Sequence, residues 1–199
     1  MDIILASTSP YRRRLLERLQ LPFRCVSPET DETPLPDEAP AALAVRLARA
    51  KAKSIAGLQP GALIIGSDQV ASIEGSIMGK PGNFNSASAQ LRSSSGREVV
   101  FYTAIALIAP NRDQEQFHVE RFCVRFRALS DSQIANYLHR EQPYDCAGSF
   151  KVEGLGIALF ESLIGDDPTS LEGLPLIKLT ALLGEFGIDI LHTQNIFTQ

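Results

Sequence analysis

The sequence predicts an α/β protein built on a long, elongated mixed β-sheet, with helices packed at both ends and a ligand cleft between the two lobes. Three observations carry that prediction. The chain opens strand–turn–helix, because the apolar run Ile3–Ala6 is followed by Ser7-Thr8-Ser9-Pro10 and then by leucines at helical spacing. A second apolar run, residues 62–65, ends in Gly66-Ser67-Asp68-Gln69, the pattern of a buried strand delivering polar groups at its carboxyl end. A long strand at Glu98–Ala109 is followed by alternation in residues 118–126, where Phe122, Val124 and Phe126 interleave with Cys123 and Arg125.

Each element has a local cause. Ser9 is a helix N-cap with Pro10 at the first helical position, and Leu15, Leu16 and Leu19 line one face. Residues 29–40 carry five acids, three prolines and no base, which predicts an extended loop. A second helix is expected over residues 41–58, burying Leu43, Leu47 and Ala50 and directing Arg46, Arg49 and Lys53 to solvent. Gly79-Lys80-Pro81-Gly82 is a turn, and residues 86–94 read as a short helix stopped by Gly96. Ser130 and Gln133 form a capping box for a helix holding Ile134, Tyr137 and Leu138. Residues 152–160 read as a strand, residues 174–186 as a last amphipathic helix stopped by Gly187, and residues 192–199 as a loose tail. No repeat and no Gly/Ser linker divides the chain, so residues 1–199 are expected to form one domain.

Composition excludes several function classes. The 199 residues are 44% hydrophobic and 21% charged, enough apolar material for one core. With 19 Lys and Arg against 23 Asp and Glu, the net charge is −4, so no global basic field would hold a nucleic acid. The longest apolar stretch, residues 99–109, is about half of a bilayer span. The amino terminus lacks the basic start of a signal peptide, which makes the cytoplasm the expected compartment. Three cysteines without Cys-x-x-Cys spacing and three histidines argue against a disulfide framework or a zinc site.

Familiar signatures also fail. Residues 75–81 approach a P-loop but are one residue short and put Pro81 where a metal-binding hydroxyl belongs. Gly154-Leu155-Gly156 lacks the third glycine of a dinucleotide fingerprint, and no Gly-x-Ser-x-Gly elbow occurs. What remains is charge at element ends. Ser7, Ser9, Arg12 and Arg13 gather hydroxyls, free N–H groups and guanidiniums at a helix N-terminus, a cradle for phosphate; otherwise they are a cap with solvated arginines. Asp68 with Glu29, Asp31 and Glu32 offers hard oxygen ligands to Mg²⁺ or Mn²⁺, although any one acid of that loop reads more simply as solvated linker. Lys80 and Lys151 have constrained neighbours, whereas Lys51 sits in a base-rich helix and reads most simply as surface. Cys146 reads as a small buried hydrophobe rather than a nucleophile.

Taken in order, Ala6-Ser7-Thr8-Ser9-Pro10-Tyr11-Arg12-Arg13, Glu29-Thr30-Asp31-Glu32, Gly66-Ser67-Asp68-Gln69, Gly79-Lys80-Pro81, residues 145–154 and Gly173-Leu174-Pro175 resemble the Maf family of nucleotide pyrophosphatases over nearly the whole chain. The resemblance implies a Maf/ITPase-like fold around a nucleotide cleft, and hydrolysis of a nucleoside triphosphate to monophosphate and pyrophosphate with a divalent metal. A homodimer would fit the family. Tyr11, Gln69 and Glu153 resemble the subgroup acting on 7-methyl-GTP, with Tyr11 in place of the usual Trp. The dTTP/UTP subgroup carries Arg, Thr and Gln there. The chemistry agrees: a methylated, positively charged guanine stacks on Tyr11, Glu153 accepts from its N1–H and amine, and Gln69 both donates and accepts. Asp68 is then the expected general base and, with Glu32, a metal ligand, while Ser7, Ser9, Arg12, Arg13, Lys51, Lys80 and Lys151 are the candidate phosphate contacts. The alternatives are a dTTP/UTP pyrophosphatase of the same family, a nucleotide-binding regulator of septum formation whose hydrolysis is incidental, and a non-catalytic interaction domain.

Overall fold

The computed structural model describes residues 1–192, so the part of the expected tail beyond His192 lies outside the described residues. β1 (Ile3–Ala6) is buried at every position and leads into α1 (Pro10–Glu17), where the Ser9 side chain accepts from the Arg12 amide. A short strand that the sequence did not predict, β2 (Arg24–Val26), follows, and α2 (Pro40–Ala56) takes Pro40 as its first residue.

β3 (Leu63–Ile73) corrects the expectation of a strand ending at Gly66-Ser67-Asp68-Gln69: it runs straight through that tetrapeptide. Backbone pairing to β5 (Glu98–Ala109) holds it extended from Ile64 to Ser72 regardless of the change in polarity. Glu74 and Gly75, with φ of 50° and 85°, then make the tight turn that the twist of a two-residue hairpin demands, returning the chain as β4 (Ser76–Met78). α3 (Phe84–Ser94) starts earlier than expected because Asn83 accepts from the Ser86 amide. β6 (Gln114–Phe126) also starts earlier, since β5 pairs with the polar residues Gln114, Glu115 and Gln116 and with Phe117. α4 (Asp131–Glu141) opens on the expected capping box of Ser130 and Gln133.

Residues 152–160 are not a strand. The Lys151 carbonyl accepts from the amides of Gly154 and Gly156, and this tight turn passes into a 3-10 helix, Leu155–Leu159. β7 (Phe160–Ile164) begins only at the end of that segment. An apolar run alone does not distinguish the two. A second 3-10 segment, Pro168–Glu172, precedes α5 (Leu176–Glu185).

Among the described residues the strands form one sheet in the order β2-β1-β3-β5-β6-β7, with β2, β1 and β3 parallel and the rest antiparallel. β1 and β4 both pair with β3, at its two ends. Because β5 occupies the other edge, they must share one edge, and β3 residues 67–70 lie open between them.

The two faces of β3 are used differently. Ile64, Gly66, Asp68 and Val70 face α2, whose alanines pack so closely that a Cβ on Gly66 would sit 2.2 Å from the Ala48 carbonyl oxygen. The opposite face carries two cores. Leu63 and Ile65 meet α1 and α5 at one end, while Ala71 and Phe101 meet α3, α4 and a cluster of phenylalanines at the other. Ser67, Gln69 and Thr103 lie between these lobes, beneath residues 168–172. Among the described residues no helix is long and apolar enough to cross a membrane.

Candidate active site

The open stretch of β3 is the floor of a cavity of about 580 Å³. α1 begins where β1 ends, so Ser7, Ser9, Tyr11 and Arg12 stand together on its rim. Ser7 Oγ accepts from the Ser9 amide at 3.1 Å, which shapes the turn. Arg12 folds back across the helix, and its Nε donates to the Gly173 carbonyl at 2.9 Å. Burial works against the Arg12 charge, and the nearby Asp68 and Glu32 carboxylates oppose that effect.

Lys51 lies on the buried side of α2, beside Leu47 and Ala52. Its Nζ donates to Asp68 Oδ1 at 2.6 Å and pairs with Glu32 Oε1 at 2.5 Å, joining α2, β3 and the acidic loop. Burial alone would raise the Glu32 carboxyl, but the hydrogen bond and charge of Lys51, with Lys80 and Arg12, outweigh it and hold the group below its ordinary value. Lys80 lies on the same wall.

A second group of charges surrounds Tyr11. Burial raises its phenol pKa, and Cys146, Asp145 and Glu153 raise it further, so it is a neutral aromatic at any physiological pH. The Cys146 thiol is pushed up to about 12 by burial and by Asp145, whose carboxylate accepts from it at 3.4 Å; it is a packed thiol and not a nucleophile. Glu153 and Glu172 complete this end of the cavity.

Gln69 is held by its nitrogen. Nε2 donates to the Ser170 carbonyl at 2.7 Å, the Leu171 carbonyl at 3.2 Å and Thr103 Oγ1 at 3.0 Å. This commits the amide nitrogen to the protein, and the oxygen is the part of the group left for a ligand in the cavity. With Nε2 held in this way, the Gln69 side chain presents its oxygen to the cavity.

Nine of the sequence-predicted residues line the cavity with Asp68: Ser7, Ser9, Tyr11, Arg12, Glu32, Lys51, Gln69, Lys80 and Glu153. Lys151 lines it too, although its Nζ donates to the Glu141 carbonyl at 3.2 Å. Arg13 stands apart: its guanidinium pairs with Glu17 one turn along α1, 64% exposed, because residues 12 and 13 of one helix point about 100° apart. Asp31 turns away to accept from the Thr33 amide. Glu172 and Thr30 also line the cavity, and sequence reasoning gave neither of them a role. Glu172 follows the mixed stretch Asp167-Pro168-Thr169-Ser170-Leu171 and carries no motif of its own, and the Thr30 hydroxyl is buried with no hydrogen-bond partner among the described residues.

A family model for Maf-like proteins matches residues 2–186, the span that holds both charge groups and every strand of the sheet. The chain belongs to the Maf family. It is 54% identical over 196 residues to the 7-methyl-GTP pyrophosphatase of Colwellia psychrerythraea, covering 98% of each chain. It is 55% identical over 193 residues to the 7-methyl-GTP pyrophosphatase of Bordetella avium, covering 97% of each. In fold, this Maf chain is similar to a HAM1 protein from Coxiella burnetii, with a TM-score of 0.52 at 16% identity over 93% of this chain and 99% of the other.

Proposed function

We propose that this protein hydrolyses 7-methyl-GTP to 7-methyl-GMP and pyrophosphate, discarding a modified nucleotide. The observation that carries the reading is the division of charge in one cavity: Arg12, Lys51 and Lys80 gather around Asp68 and Glu32, while Glu153, Glu172 and Asp145 gather around Tyr11. A triphosphate suits the first group. N7-methylation makes guanine cationic, and a cation suits an aromatic face ringed by carboxylates. The two relatives at 54% and 55% identity, each named for that activity, support the same substrate.

In this reading Asp68 takes a proton from a water that attacks the α-phosphorus; the new P–O bond forms as the bond to the β-phosphate bridging oxygen breaks and pyrophosphate leaves. Lys51 holds the Asp68 carboxylate in place. Arg12, Lys51, Lys80 and Lys151 offset the charge spreading over the phosphate oxygens, with Ser7 and Ser9 at the amino end of α1. The Gln69 oxygen accepts from the guanine N–H edge, and Glu153 faces the same edge.

Asp68 and Glu32 converge on one ammonium, with the orphan Thr30 hydroxyl in the same cavity. Among the described residues no group of three or more His, Cys, Asp or Glu is placed so that together they could hold a metal ion. Two hard carboxylates with few other protein ligands are the donor set of Mg²⁺ or Mn²⁺ sites completed by water and phosphate. Asp68 and Glu32 would hold such an ion, which would supply further neutralisation of the triphosphate.

The test is pyrophosphate release from 7-methyl-GTP, GTP, UTP and dTTP, each with Mg²⁺, Mn²⁺ or a chelator. Metal-dependent preference for 7-methyl-GTP is expected. Preference for UTP and dTTP would overturn the base assignment, turnover undiminished by chelator would overturn the metal, and no release from any nucleotide would overturn hydrolysis.

A further inference from the structure

Glu172 is the last residue of the 3-10 segment Pro168–Glu172, and the backbone on both sides of it is anchored. The Leu171 carbonyl accepts from Gln69, and the Gly173 carbonyl accepts from both Arg12 and Ser67. The carboxylate is thus placed at the cavity wall by the same segment that orients Gln69 and Arg12. Asp68 and Glu32 share a lysine and Asp145 accepts from a thiol, but neither the Glu172 nor the Glu153 carboxylate forms a hydrogen bond or salt bridge among the described residues.

Two carboxylates without partners on the wall of one cavity, Glu172 half-buried and Glu153 exposed, repel each other with no counter-charge paired to either. Burial and the Glu153 charge both favour the protonated form of Glu172, while the charges of Arg18, just past the end of α1, and Arg14 on that helix act in the opposite sense. A ligand bearing positive charge between them relieves the repulsion; a neutral base does not.

We propose that Glu172 is a second specificity-determining carboxylate, selecting with Glu153 a positively charged purine over its neutral counterpart. This rests on the reading of the cavity as a 7-methyl-GTP site and extends it to a residue outside the Tyr11, Gln69 and Glu153 set. The selection is electrostatic, so it requires the charge of Glu172 and not merely its shape.

The experiment compares kcat/KM for 7-methyl-GTP and GTP in the wild type, Glu172→Gln, Glu172→Asp and Glu153→Gln. Glu172→Gln is expected to reduce the ratio of the two values about tenfold, the scale of one partly screened charge at close range, with the change in KM. Glu172→Asp, which keeps the charge, should retain most of the ratio. An unchanged ratio in Glu172→Gln, or equal losses on both nucleotides in both Glu172 variants, would overturn the proposal while leaving the wild-type preference intact. A wild type that does not distinguish 7-methyl-GTP from GTP would overturn the substrate reading and this proposal with it.

Discussion

Asp68 and Lys51 are each only 7% exposed and bound to one another, in a layer where β3 and α2 otherwise meet through glycine, alanine, valine, leucine and isoleucine. Burying such a pair costs desolvation free energy on both sides, and an apolar pair of similar volume would often be the more stable choice. Its retention at the cavity floor fits chemistry better than stability. Asp68→Asn keeps the shape and loses the base, so turnover is expected to fall by about 10² to 10⁴ while nucleotide affinity measured by calorimetry is kept. Near-normal turnover would remove Asp68 from that role. Glu172 makes a prediction of the opposite kind. Burial first, then Glu153, raises its carboxyl above the ordinary value, so the folded protein binds that proton more tightly than the unfolded chain. Stability therefore declines as pH rises from the unfolded value toward the folded one, and the penalty is complete above both. Glu172→Gln should raise the thermal midpoint at about pH 7 but not below about pH 4. Equal shifts at the two pH values in scanning calorimetry would contradict that assignment.

Between elements, the closest approach is α2 on β3 at Gly66. A methyl group there would meet the Ala48 carbonyl oxygen at 2.2 Å and the Ala52 Cβ at 2.9 Å, and neither belongs to a flexible side chain. Gly66→Ala is expected to destabilise the protein by about 3 kcal/mol, read from denaturant midpoints, and to displace Lys51 enough to lower turnover. The elements set by local signals were legible in the sequence: Ser9 with Pro10 opens α1, and Ser130 with Gln133 opens α4, because a cap needs only residues three positions apart. Elements created by tertiary pairing were not. β2 and β4 have three residues each, and the continuation of β3 through Ser67, Asp68 and Gln69 depends on β5, some 35 residues away. The cavity was legible through its charged motifs, but Lys51 was misjudged although Leu47 and Lys51 are one turn apart on the face that the periodicity already marked as buried. Glu172 carried no local mark, since a 3-10 segment brings it into the cavity.

At the scale of the whole molecule, residues 167–173 join the two lobes. Asp167, 2% exposed, accepts from the Thr169 amide at 2.9 Å and the Thr169 hydroxyl at 2.6 Å, and also from the Ile177 amide at 2.7 Å at the start of α5. One carboxylate thereby caps both the 3-10 segment and the helix, fixing the carbonyls that hold Ser67, Gln69, Thr103 and Arg12. Asp167→Ala is expected to cost about 3 kcal/mol, within the range for a buried charged group that loses its hydrogen bonds. Hydrogen exchange should rise in residues 168–177 before the rest of the fold, and uniform acceleration would deny the segment its local role.

β3 also bears on the order of synthesis. β1 has the three-residue β2 on one side, but its partner on the other side comes only with residues 63–66, and the inner face of α2 packs on that same strand and on β5. The first 60 or so residues therefore leave the ribosome with amphipathic helices and an apolar strand that only the three-residue β2 can pair, too little sheet to cover them. The β5–β6 hairpin closes locally, around residues 110–113, as soon as it emerges. A nascent chain stalled before β3 should bind a chaperone, and one stalled beyond β6 should release it.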